Sequence, residues 1–217
     1  MELKYPKISI GIKLMYISWW CTVLGVVAGF VGGFTAIFAG MGLIILLELA
    51  AGILELLTYG LQLVGLYKAG KDEERYKKPF YMLLAELLIA VAAIATIVTK
   101  SYVLIFVVGF AGGLACAVLE PLRLCLFVKY TEELVRENGD AGVDGYYKII
   151  RNCFFITYGG MIIGSIITAM EILSWFGILL IIAAMFSVIA CYIFYGIFLH
   201  KTNKFFKTLE TTEPDVF

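Results

Sequence analysis

Four polar side chains share one face of the second long apolar segment. Glu48 and Glu55 lie seven residues apart, which is two turns of an α-helix, and Tyr59 and Gln62 continue the same face. Ionisable residues inside a membrane helix are costly and mark ion or proton pathways. This carboxylate stripe (Glu48, Glu55, Tyr59 and Gln62) therefore predicts a site that handles protons or cations.

The stripe also has a structural interpretation. Apart from Arg151 at the inner end of the fifth span, Arg123 is the basic residue that falls inside the predicted spans given below, so Glu48 and Glu55 have few counter-ions within reach. Desolvation in lipid disfavours the charged form of an unpaired carboxyl group. Protonated carboxyls can relay protons or coordinate a passing cation. They can equally act as neutral hydrogen-bonding groups that hold helices together.

Two further carboxylates are predicted to enter the membrane from the inner side. Glu86 lies in the third span, and Glu120 lies in the inner half of the fourth. Pro121 follows Glu120 and leaves the carbonyl of Ala117 without its helical partner, which predicts a kink. Arg123 is three residues after Glu120 and can pair with it across one helical turn. This arrangement is typical of the polar midpoints of transporters, although a purely stabilising ion pair is an equal alternative.

Glycines recur at intervals of four in three of the spans. Small residues at this spacing let two helix backbones approach closely in a membrane. We interpret them first as contacts between helices of one chain and second as an interface with another subunit. The candidate packing residues are Gly25, Gly29 and Gly33, then Gly109 and Gly113, and finally Gly160 and Gly164.

The composition requires that these residues lie on membrane helices. Of the 217 residues, 62% are hydrophobic and 16% are charged, and the mean hydropathy is +0.95. Six spans of about 22 residues need about 130 residues, which takes up nearly all of the apolar content. The predicted spans are residues 14–38, 43–66, 80–98, 102–127, 149–170 and 175–199.

Basic residues predict the orientation of the spans. Lysines and arginines cluster before the first span, between the second and third, between the fourth and fifth, and after the sixth, whereas the opposite side has only Lys100. Short loops that carry lysine and arginine stay on the cytoplasmic side. Both termini are therefore expected in the cytoplasm, with very short outer loops, one six-helix domain over residues 1–200 and a cytoplasmic tail over residues 201–217.

Several kinds of chemistry are not expected. The chain has one histidine, His200, and five cysteines without close paired spacing, so the sequence predicts no metal site, no haem and no other cofactor. It has 17 basic and 17 acidic residues, which does not favour nucleic-acid binding. No constellation of catalytic side chains is recognisable, so we do not expect an enzyme.

The sequence thus predicts an all-α, multi-pass membrane protein, a compact bundle of six helices in a cell membrane, most simply a bacterial one. The first functional hypothesis is a small transporter-like or channel-like protein that handles protons or cations. The second is a non-catalytic subunit that forms a homo-oligomer or binds a membrane partner through its glycines. The third is a small-ligand-binding subunit that works with a separate ATPase.

Overall fold

Six long helices make up almost all of the described chain. The computed structural model describes residues 6–35, 41–98, 101–139, 142–169 and 174–211. Each of the six is long and apolar enough to cross a membrane, as the sequence predicts. The helices are α1 (Pro6–Thr35), α2 (Met41–Asp72), α3 (Lys77–Val98), α4 (Tyr102–Asn138), α5 (Tyr146–Ala169) and α6 (Ser174–Thr211), and a 3₁₀ turn (Glu74–Tyr76) precedes α3.

Several helices extend beyond the apolar segments that the sequence marks as spans. Helix α4 continues through Pro121 without a break and ends at Asn138, where Gly139 has a φ of 147° that disfavours other residues. Helix α6 continues to Thr211, so residues 201–211 of the predicted tail are helical. The predicted span ends at residues 36–38 and 170 lie outside the described residues.

The chain divides into two compact units. The first unit comprises Met1–Phe80 together with Phe206–Phe217, and the second comprises Tyr81–Phe205. The first unit therefore contains α1 and α2, and the second contains most of α3 together with α4, α5 and most of α6. The ion pair described below lies entirely within the second unit.

Helices α1 and α2 pack along small residues that are seven positions apart. A Cβ atom added at Gly11 would lie 2.6 Å from the carbonyl oxygen of Gly65, so the two backbones are almost in contact there. Further along α1, the Thr58 hydroxyl group of α2 lies 3.4 Å from the carbonyl oxygen of Ser18. Gly25 faces Leu54 in the same contact. A seven-residue repeat keeps one face of each helix toward its neighbour.

A carboxylate of α2 caps the N-terminus of α1. The Asp72 side chain accepts hydrogen bonds from the backbone N–H groups of Lys7 at 2.7 Å and Ile8 at 3.1 Å. These N–H groups belong to the first turn of α1, where they have no helical partner. The negative charge also complements the positive end of the helix dipole. Asp72 thereby fixes the register of the two helices.

In the second unit, a carboxylate of α4 caps the N-terminus of α5 in the same way. Glu132 of α4 accepts hydrogen bonds from the backbone N–H groups of Gly145 at 3.0 Å and Tyr147 at 2.9 Å, at the beginning of α5. Lys201 of α6 donates a hydrogen bond to the carbonyl oxygen of Gly142 at 3.0 Å. These contacts attach the connection between α4 and α5 to α6.

Glycines bring α5 and α6 into close contact. A Cβ atom at Gly164 would lie 2.8 Å from the carbonyl oxygen of Gly177, and a Cβ atom at Gly160 would lie 3.0 Å from the Cβ of Ala184. Nearer the N-terminus of α5, the Ser187 hydroxyl group donates a hydrogen bond to the carbonyl oxygen of Cys153 at 2.9 Å. The two helices therefore form a closely packed pair.

Candidate functional site

A buried ion pair joins α3 to α4. The Nε atom of Arg123 lies 2.9 Å from Oε1 of Glu86, and the Nη2 atom lies 3.1 Å from Oε2. Both residues are nearly inaccessible to solvent, with relative exposures of 2% for Arg123 and 5% for Glu86. Two parallel N–H···O bonds form the strongest geometry available to an arginine and a carboxylate. Among the described residues, these are the two charged side chains that are buried.

Helix packing selects Glu86 as the bidentate partner of Arg123. Sequence spacing suggests Glu120, which is one helical turn away on α4, whereas Glu86 is 37 residues away on α3. A Cβ atom at Gly112 would lie 2.8 Å from the Cγ2 of Ile89, which shows how closely α3 and α4 approach. This approach lets Glu86 reach the guanidinium group.

Glu120 lies half-buried on α4, three residues before Arg123. Residues three apart lie on neighbouring turns of one helix face, so Glu120 and Arg123 share a side of α4. The same side of α4 therefore carries a second carboxylate beside the buried arginine.

Tyr195 of α6 adds a buried hydroxyl group to this region. The side chain is 6% exposed, and its ring meets the ring of Phe127 edge to face at a centroid distance of 6.4 Å. Phe127 follows Arg123 by one turn of α4. The Tyr195 hydroxyl group has no hydrogen-bond partner among the described residues, a property it shares with the hydroxyl group of Thr157. We name Glu86, Glu120 and Arg123 the Arg123 cluster.

The carboxylate stripe lies in the first unit and faces outward. Glu48 and Glu55 are exposed on α2, and within the described part of the chain neither carboxylate has a hydrogen bond or ion pair. Tyr59 and Gln62 are half-buried on the same helix and do have interactions. The structure thus presents two carboxylates on an apolar helix surface.

The glycines at intervals of four occupy different environments. Gly25 packs against α2, whereas an added Cβ at Gly29 would have no atom within 4 Å, and the surroundings of Gly33 lie outside the description. Gly109 and Gly113 on α4 are also open, and it is the neighbouring Gly112 that contacts α3. Gly160 and Gly164 lie in the contact between α5 and α6.

Comparison with known proteins gives no relative for this chain. No protein-family model, no curated protein and no solved structure matches it. The function must therefore be inferred from the geometry of the chain itself.

Sequence reasoning did not identify Tyr195 as a buried residue. Tyrosines are common here, with 13 in the chain, so the residue type alone marks no position. The burial of Tyr195 follows the helical period instead, because buried residues recur every three or four positions along one face of α6. They are Ala184, Ser187, Cys191, Tyr195, Phe198 and Thr202. These residues define the buried face of α6.

Proposed function

We propose that this protein is a small integral membrane protein of the transporter-like or channel-like class, which moves protons or cations through the Arg123 cluster. The observation that carries the proposal is the buried, bidentate Glu86–Arg123 pair, with Glu120 one helical turn from Arg123 on α4. Charged groups inside a membrane bundle are expensive to maintain, and they occur where ions or protons are handled.

The charge balance of the Arg123 cluster favours a positive substrate. The cluster contains two carboxyl groups and one guanidinium group, so it carries one surplus negative charge when all three are ionised. An apolar interior disfavours an uncompensated charge. Binding of one proton or one monovalent cation removes the surplus, and its release restores it.

The membrane setting is part of the same proposal. The six apolar helices span a cell membrane, with both termini in the cytoplasm, as the distribution of lysine and arginine indicates. Tyr16, Trp19 and Trp20 form an aromatic group near the beginning of α1, which suits a position at the membrane surface. In this orientation, Glu86 and Arg123 lie toward the cytoplasmic half of their helices.

Flux measurements on purified protein test the proposal. In liposomes, we expect proton or monovalent-cation flux above that of protein-free liposomes, and we expect Glu120→Gln to reduce it to the protein-free level. Glutamine keeps the shape of the side chain but cannot carry the charge or the proton. Glu137→Gln at the exposed end of α4 is the control and should leave the flux unchanged.

A Glu55→Gln variant measured in parallel separates the two candidate pathways. Flux that is lost in Glu55→Gln and retained in Glu120→Gln would place the pathway on the carboxylate stripe and contradict the role of the Arg123 cluster. Absence of flux for protons and for monovalent cations in the unaltered protein would contradict transport altogether.

The outward position of the stripe favours a second candidate function, a non-catalytic subunit that assembles with itself or with another membrane protein. Carboxylates on a lipid-facing helix are costly unless a neighbouring chain covers them. Gly52 lies between Glu48 and Glu55, and an added Cβ there would meet no atom within 4 Å. Gly29 is open in the same way, so both helices of the first unit offer a place of close approach.

A substitution at Gly29 tests this second candidate. If Gly29 lies in an interface between chains, Gly29→Leu should convert the isolated complex to a monomer, because the larger side chain separates the helix backbones. Gly159→Leu on α5 is the matched control, since its Cβ position is also open. Size-exclusion chromatography with light scattering reports the mass. An unchanged mass in Gly29→Leu would argue against assembly through this surface.

A further inference from the structure

Glu48, Gly52 and Glu55 share one face of α2, which we name the Gly52 face. Their spacings of four and three residues place them on successive turns, with the two carboxylates about 10 Å apart along the helix. Both carboxylates are exposed, and neither has a hydrogen bond or ion pair within the described ranges. The Cβ position of Gly52 is open between them. The face therefore has two unpaired charges on either side of a place of close approach.

Helix α1 packs beside the Gly52 face and does not cover it. A Cβ atom at Gly25 of α1 would lie 3.6 Å from the Cβ of Leu54 and 3.8 Å from the carbonyl oxygen of Ala51. A Cβ atom at Gly32 would lie 3.3 Å from the Cβ of Leu47. Each of these α2 residues comes one position before a residue of the Gly52 face, and successive residues of an α-helix point about 100° apart. The contact with α1 thus leaves the carboxylates on a separate side of α2.

The charge of the Gly52 face indicates which kind of helix can cover it. Residues 14–66 contain both carboxylates and no lysine, arginine or histidine, so a second copy of the first unit would add carboxylates and no cation. In the second unit, Arg123 is already paired with Glu86 in the interior. Arg151 lies at the inner end of its predicted span, whereas Glu55 lies 11 residues, or about 16 Å, before the inner end of its own. A cation at the level of the Gly52 face must therefore come from another protein.

We propose that the Gly52 face binds a transmembrane helix of a different membrane protein and that this helix carries a lysine or arginine opposite Gly52. A basic residue at that level lies about 5–6 Å along the helix axis from each carboxylate, within reach of its long side chain. The open Gly52 position lets the partner backbone come close. Ionisable groups within a membrane bundle pair with one another, and the attraction is stronger there than in water.

This inference rests on the second candidate function and specifies the partner. It does not depend on ion movement through the Arg123 cluster, which lies in the other unit. The chemistry that recognises the partner is one positive side chain within an apolar helix.

A synthetic transmembrane peptide is the probe for this inference. It has about 20 residues of leucine and alanine with one central lysine, and the control peptide has leucine at that position. In phosphatidylcholine liposomes, resonance energy transfer between labelled protein and labelled peptide should show association about tenfold tighter for the lysine peptide. A protein with both Glu48→Gln and Glu55→Gln should bind the two peptides equally. Glu137→Gln, at the exposed end of α4, should keep the preference for lysine.

Exchange of the charges separates ion pairing from a structural role of the carboxylates. A protein with Glu48→Gln and Glu55→Lys should bind a peptide with a central glutamate about tenfold more tightly than the leucine peptide, because the pair then forms with its signs reversed. It should lose the preference for the lysine peptide. A carboxylate that only stabilises α2 would produce neither change.

The possible outcomes distinguish this inference from the proposed functions. Equal binding of the lysine and leucine peptides to the unaltered protein would overturn it. A preference for lysine that persists in the protein with Glu48→Gln and Glu55→Gln would also overturn it, because other residues would then hold the cation. Self-association without peptide that is lost in that variant would assign the face to a second copy, which overturns the inference and keeps the second candidate function. The flux assay uses liposomes without peptide, so its result is independent of these outcomes.

Discussion

Glu86→Gln is expected to lower the free energy of unfolding by about 3–5 kcal/mol, because it leaves the Arg123 guanidinium buried without its counter-ion. Arg123→Met should cost a similar amount, since it leaves the Glu86 carboxylate in the same position. Both side chains are almost completely buried, and two hydrogen bonds join them. Either loss should be visible as a lower melting temperature in detergent solution.

The double substitution distinguishes a buried ion pair from two independent contacts. When Glu86→Leu, which is also measured alone, is combined with Arg123→Met, both charges leave the interior together, and the protein should recover most of the stability lost in each single variant. A double-mutant cycle measures this coupling. If the effects of the two substitutions simply add, then the pair observed between α3 and α4 does not form in the folded protein.

The double variant also separates stability from function. We expect it to fold and yet to be inactive in the liposome assay, because the Arg123 cluster then lacks its charged groups. Proton or cation flux at the unaltered rate in a folded double variant would show that the pair only holds α3 and α4 together. This result would favour the assembly subunit over the transporter-like protein.

Gly177→Ala is expected to be the most damaging of the small substitutions. An added Cβ would lie 2.6 Å from the carbonyl oxygen of Gly164 and 2.7 Å from the backbone nitrogen of Thr168. Both atoms belong to the backbone of α5 and cannot rotate away, so α5 and α6 must separate. Overpacking of this kind costs about 1–3 kcal/mol, and the backbone contacts place Gly177 toward the upper end.

The matched control for this prediction is Gly113→Ala. Gly113 lies within α4, and an added Cβ would meet no atom within 4 Å. Alanine in an open helical position stabilises a helix by about 1 kcal/mol relative to glycine. Thermal unfolding should therefore move in opposite directions for the two variants. A Gly177→Ala protein as stable as Gly113→Ala would contradict the close contact between α5 and α6.

The six helices follow from the sequence, because helix length and hydropathy are local properties. An apolar run of about 20 residues identifies a possible span without reference to the rest of the chain. The continuation of α4 beyond its apolar part is similarly local, since the helical pattern extends to Asn138 and Gly139 ends it. The sequence also located Glu86, Glu120 and Arg123 as unusual charges in apolar helices.

The partners of those charges are determined by tertiary structure. Sequence spacing compares residues one turn apart on the same helix, so it could suggest Glu120 for Arg123 but could not find Glu86 on α3. Sequence spacing also does not show which glycines lie in contacts between helices. Gly25 and Gly29 differ by about 40° around the helix axis, yet one packs against α2 and the other is open.

Tyr195 is a residue whose burial the tertiary structure shows and the sequence does not. Its sequence neighbourhood is apolar and aromatic like much of the chain, and nothing local distinguishes it from the other tyrosines. Its burial arises when α6 packs against Phe127 of α4. The sequence determined which side chains enter the helices, because that depends on local composition. Tertiary structure decided which of them meet, because contacts between helices join residues far apart in the chain.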